Sequence, residues 1–85
     1  MDSLKLLKIK AQGMEPSVRI GKGGITQGII EEIKKQLAKK KLVKIKCLKS
    51  FIQSRDRKVL AAELAKRTNS KVVYQIGFVI VLARK

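Results

Sequence analysis

The sequence predicts an α/β domain with elements in the order αβαβαββ, on three observations. Two long amphipathic segments each follow a short β-branched run, a central run alternates apolar with basic residues, and the chain ends in two β-branched runs split only by Gly77. Strand-helix-strand steps imply parallel neighbours, and the terminal hairpin adds an antiparallel strand. The four strands therefore make a mixed sheet. With 85 residues, residues 1–85 are expected to form one domain that removes only about 60% of its unfolded surface from water, leaving a face for a partner.

The first element, residues 2–11, puts Leu4, Leu7 and Ala11 on one helical stripe, with Asp2 or Ser3 as a possible N-cap, and it also alternates well enough to be read as a strand. Gly13 and Pro16 close it, since proline pushes the preceding residue into extended geometry. Residues 17–20 read as a short strand with Val18 and Ile20 inward and Arg19 outward. Thr26 then caps a helix running to about Lys40, with Ile29, Ile30, Ile33 and Leu37 on one face, a Glu31 to Lys35 pair on the other, and Lys39, Lys40 and Lys41 at the end where the helix dipole favours cations.

Residues 42–49 form the clearest strand: Val43, Ile45 and Cys47 alternate with Lys44 and Lys46, giving one core face and one basic face. Ser54 is placed to cap a second long helix over residues 55–68, with Asp56 in its first turn and Leu60, Ala61 and Leu64 as its apolar stripe. Val59 and Ala62 fall off that stripe. Residues 71–76 and 78–83 complete the chain as the hairpin.

Charge narrows the function. The chain carries 21 Lys and Arg against 6 Asp and Glu, a formal net charge of +15, and a pI near 10.5. A balance so one-sided calls for a polyanionic partner, nucleic acid first and anionic membrane second; ion-pair networks of the thermophile kind would need more acids. No run approaches the roughly 18 apolar residues of a membrane span, and residues 1–11 are too lysine-rich for a signal segment. The single cysteine, Cys47, excludes an internal disulfide and suits a reducing cytoplasmic setting. The expectation is a soluble, cytoplasmic protein with no membrane association.

Catalysis is not expected. There is no histidine, and the acids Asp2, Glu15, Glu31, Glu32, Asp56 and Glu63 are scattered, so neither a metal cluster nor a partnered general base is in view and no cofactor is called for. The feature with chemistry is the turn Gly21-Lys22-Gly23-Gly24-Ile25-Thr26 between the first strand and the capped helix. Glycines there let backbone N–H groups approach a phosphate, the helix start adds free donors and partial positive charge, and Lys22 brings a cation to the tip. It is neither a Walker A loop, which ends Gly-Lys-Ser/Thr, nor a GxGxxG fingerprint. A lone GxxG is also compatible with a tight turn chosen for geometry alone.

Aromatic residues are scarce: only Phe51, Tyr74 and Phe78 occur, which disfavours an RRM or OB-type stacking surface. Phe78 reads as core and Phe51 as the one exposed stacking candidate. Among the cations, Arg19, Lys22, Lys44 and Lys46 share one surface if the sheet leaves its second face open. Arg55, Arg57 and Lys58 gather at a helix start, where the dipole opposes them and binding is a better reason for their presence.

Pro16 before a short strand, Ile20 followed by Gly21-Lys22-Gly23-Gly24-Ile25-Thr26, the strand Leu42-Val43-Lys44-Ile45-Lys46, and Ile76-Gly77 followed by Val81-Leu82-Ala83-Arg84 resemble, in order and spacing, the CRM domain. That family is named for chloroplast RNA splicing and ribosome maturation, and the likeness is to its stand-alone YhbY-like members. The resemblance implies a two-layer α+β domain with a four-stranded mixed sheet, similar to the C-terminal domain of translation initiation factor 3. It also implies RNA binding through the GxxG turn and neighbouring basic surface.

The combined expectation is a monomer that binds ribosomal RNA or the pre-ribosomal large subunit and assists its assembly. Gly21, Lys22, Gly23, Gly24 and Thr26 would hold phosphates, with Arg19, Lys44, Lys46, Arg55 and Arg57 adding charge. An Alba-like DNA-binding chromatin protein and an integral ribosomal protein are the alternatives.

Overall fold

A computed structural model describes residues 3–53 and 55–85. Its elements are α1 (Ser3–Gln12), β1 (Val18–Ile20), α2 (Gln27–Lys39), β2 (Leu42–Cys47), α3 (Lys49–Ile52), α4 (Arg57–Arg67), β3 (Ser70–Ile76) and β4 (Val79–Arg84). This is the expected order with one short helix added, α3. Its residues Lys49 to Ile52 follow Cys47 directly, and Phe51 and Ile52 are both buried.

The four strands form one sheet in the order β1-β2-β4-β3. β1 pairs parallel to β2, with Val18 opposite Ile45, Arg19 opposite Lys46 and Ile20 opposite Cys47. β4 runs antiparallel to both β2 and β3. The second strand-helix-strand step therefore does not make parallel neighbours, because β4 inserts between β2 and β3. Burial explains the choice: Ile80, Val81, Leu82 and Ala83 are all fully buried, so β4 presents apolar side chains on both faces and belongs in the middle. β3 exposes Lys71, Val72 and Ile76, which suits an edge, and a register shift between Val72 and Tyr74 bends it. Gly77, at φ +56°, closes the hairpin.

The alternation of β2 sorts the core into two clusters. Val43, Ile45 and Cys47 join Ile80, Leu82, α2's Ile30, Ile33 and Leu37, and α4's Leu60, Ala61, Leu64 and Ala65 in the larger one. On the opposite face, Leu42, Val73, Val81 and Ala83 meet Ala11, with Leu7, Met14 and Tyr74 at the margin. To the two expected layers α1 thus adds partial cover on the sheet's second face. Ala11 and Leu7 carry that contact, whereas Leu4 is exposed, as are Leu6 and Ile9 on other sides of the helix.

Caps set the helix boundaries. Thr26 Oγ1 accepts from Ile29 N at 3.2 Å and starts α2 as expected. The second long helix begins later than its periodicity suggests: Asp56 is the N-cap, accepting from Lys58 N at 3.0 Å and Val59 N at 3.2 Å. Arg55 therefore lies outside the helix. The capping expected of Asp2 and of Ser54 lies outside the described residues. On α2's outer face Glu31 takes a bond from Gln27 Nε2 at 2.6 Å instead of pairing with Lys35. Val59 and Ala62, unplaced by period, face solvent.

Candidate nucleic-acid interface

β1 delivers the chain into the glycine turn and α2 carries it away. Gly24 N donates to Gly21 O at 3.0 Å, closing a tight turn. Only Gly24 among the turn's glycines has positive φ, +69°. A Cβ there would also sit 3.1 Å from Phe51 Cε1. Gly24 is thus fixed by geometry, with the Phe51 ring against it.

Gly21 and Gly23 differ. Both are exposed and neither has positive φ. A Cβ on Gly21 would meet nothing within 4 Å, and one on Gly23 only Thr26 Cγ2 at 3.9 Å. The fold would accept side chains at both positions. What a side chain would obstruct is access from outside to the turn's backbone, between the exposed Lys22 and the first N–H groups of α2, which a helix leaves unpaired.

Cations flank the turn on two sides. On one, Arg19 and Lys46 stand opposite each other in the β1-β2 register, and with Lys49 they border an open groove beside Gly21. Arg19, Lys22, Lys46 and Lys49 make no ion pair with any described residue; the pair resolved joins Glu63 and Arg67 at 3.5 Å. Leu48 N donates to Ile20 O at 2.7 Å and ties the start of α3 to the strand entering the turn. On the other side Arg55 donates through Nε to Phe51 O at 3.0 Å and lies over the Phe51 ring, 4.4 Å from its centroid. It shares a shallow depression with Gly23, Gly24 and Arg67. Arg57 reaches Gly77 O at 3.2 Å and stands 5.3 Å from the centroid of Phe78.

Two expectations change. Phe51 is not an exposed stacking ring: it is buried at 8% exposure, supporting Gly24 from below. Lys44 does not join the other cations, because its ammonium donates to Ala11 O at 3.1 Å and Met14 O at 2.9 Å. Those carbonyls lie at and just past the end of α1, where the negative pole of the helix dipole favours a cation; the Ala11 carbonyl also accepts from Met14 N at 3.1 Å. Past α1 the sheet's second face is exposed at Lys46 and Arg19, and also at Ile76 on the β3 edge.

Leu48, Lys49 and Phe78 were not expected at the interface. The signal for Leu48 was present: it is apolar where the alternation of β2 would put a third basic residue. Cys47, as expected, is buried, and burial pushes its thiol pKa up, away from a reactive thiolate. No described helix is long and apolar enough to cross a membrane.

Comparison with known proteins identifies relatives of the chain. A family model for the CRS1 / YhbY (CRM) domain matches residues 2–84. A Methanocaldococcus jannaschii protein named "Probable RNA-binding protein MJ0652" is 36% identical over 80 residues, 94% of this chain and 59% of that one. The Bacillus subtilis "Probable RNA-binding protein YqeI" is 31% identical over 81 residues, covering 95% of this chain and 82% of its own. The solution structure of Staphylococcus aureus SAV1595 superposes with a TM-score of 0.80 at 34% identity, over 96% of this chain and 83% of that one. The chain thus spans somewhat over half of the archaeal relative and most of the two bacterial ones.

Proposed function

Because the chain belongs to the CRS1 / YhbY (CRM) domain family, we propose that it binds structured RNA by holding backbone phosphates at the Gly21 to Gly24 turn. The observation that carries this reading is the pair of exposed glycines, Gly21 and Gly23, at positions where the fold itself would accept a side chain. Lys22, the α2 start capped by Thr26, and the unpaired Arg19 and Lys46 supply charge to the same surface, and Arg55 and Arg57 extend it. The names of the archaeal and Bacillus relatives support RNA as the partner. Ribosomal RNA in the assembling large subunit is the target class we infer, with the protein acting as a monomer and without a cofactor.

Phosphate contacts release counterions, so log affinity falls with log salt by about 0.7 to 0.9 per phosphate neutralised. Anisotropy titrations of large-subunit ribosomal RNA fragments at several salt concentrations test this, with the double variant Lys22→Asp, Gly23→Asp beside the parent. A steep salt slope is expected, together with a large loss of binding in the variant at unchanged thermal stability. A flat salt dependence, or a variant that binds as well as the parent, would remove the turn from the mechanism. Co-sedimentation with precursor large subunits, and not with mature ones, is the expected mark of an assembly role.

A further inference from the structure

The groove beside the glycine turn has a character of its own. It encloses about 370 Å3 and is lined by Arg19, Gly21, Lys46, Leu48, Lys49 and Phe78, among others. Its middle is apolar: Leu48 is 43% exposed, and the half-buried Phe78 ring is steadied by Arg57, which also bonds the Gly77 carbonyl of the same turn. Its rim is cationic, since Arg19, Lys46 and Lys49 surround that apolar patch without a described acid to neutralise them.

The backbone at the groove is already engaged. Leu48 N donates to Ile20 O at 2.7 Å and Cys47 N to Phe78 O at 2.8 Å. The groove therefore offers apolar surface and cations, and few free groups for reading hydrogen-bond patterns. An occupant that matches is flat, largely apolar on its faces and attached to a phosphate chain. The volume lies at the low end of the roughly 300–1,000 Å3 typical of small-molecule sites, which suits one ring system and not an extended ligand.

We propose that this groove receives one unpaired nucleobase of an RNA whose neighbouring phosphates lie against Gly21 and Lys22. The proposal rests on the RNA-binding reading and sharpens it: the protein selects a bulge, a loop or a strand end over a continuous duplex, because a paired and stacked base cannot enter. Base identity matters little, since the faces of the base and not its edges meet the protein.

The test uses the full chain and two RNA hairpins, one with a single-adenine bulge and one with an abasic nucleotide at the same place, compared by fluorescence anisotropy at fixed salt. The intact bulge is expected to bind roughly tenfold more tightly, in keeping with the value of one stacked base. Leu48→Ser, at an exposed position, is expected to erase that difference while leaving the salt slope and melting temperature of the protein unchanged. Equal binding of the two RNAs by the parent protein overturns the base pocket and leaves phosphate binding standing. So does a tenfold preference that survives in Leu48→Ser. Failure of both RNAs to bind at low salt overturns the RNA reading and this inference together.

Discussion

Lys44 and Lys46 occupy the same strand and the same face of the sheet, two residues apart, yet they have opposite fates. Lys44 lies where α1 crosses the face and gives its ammonium to the Ala11 and Met14 carbonyls. Lys46 lies beyond the end of α1, opposite Arg19 and beside the glycine turn, with no described acid in reach. Alternation along a strand assigns a side chain to a face; whether that face is structure or surface depends on which helix lands there. The same contrast separates Gly24, held by positive φ and the Phe51 ring, from Gly21, which the fold does not need to be glycine.

The largest effect is expected from reversing the open end. The double variant Arg19→Glu, Lys46→Glu should lose RNA affinity by about a hundredfold at low salt, through lost phosphate contacts and new repulsion, and should show a shallower salt slope. Its melting temperature should match the parent's, because neither side chain is tied to another described group. Next in size, Gly24→Ala should cost about 1–3 kcal/mol of stability in urea denaturation, from left-handed backbone strain and contact with Phe51. Gly21→Ala should cost almost nothing in the same measurement while still weakening RNA binding.

Lys44→Met should destabilise by about 1–2 kcal/mol, the value of charge-assisted bonds to helix-end carbonyls, and change RNA affinity by less than twofold. An affinity loss for Lys44→Met as large as that for Lys46→Met would erase the distinction between the two ends. Smallest is Asp56→Ala, expected to cost about 1 kcal/mol through the lost cap on α4 without moving RNA affinity.

Local rules made much of this legible from sequence. Thr26 was readable as a cap because it sits just before the apolar period of α2, and the strand over Val43, Ile45 and Cys47 because its alternation is strict. The second helix was harder: Ser54 and Asp56 are both good caps, and periodicity cannot rank two caps two residues apart. The place of β4 between β2 and β3 depends on long-range packing of a strand apolar on both faces, which hairpin proximity does not specify. Phe51 reads as exposed from the sequence because polar residues around it mask the short helix α3, which turns its ring under Gly24. Lys44 looked free because α1 pairs with nothing in sequence that announces which face it covers.

The contrast between the two ends can be read residue by residue from backbone amide shifts of the 15N-labelled protein during titration with the bulged hairpin RNA. The largest shifts are expected at Arg19, Gly21 to Gly24, Thr26, Lys46 and Leu48, with Lys44 and α1 nearly still. Shifts concentrated on α1 and its exposed Leu6 and Ile9, with a silent glycine turn, would contradict the assignment of that turn to phosphate binding.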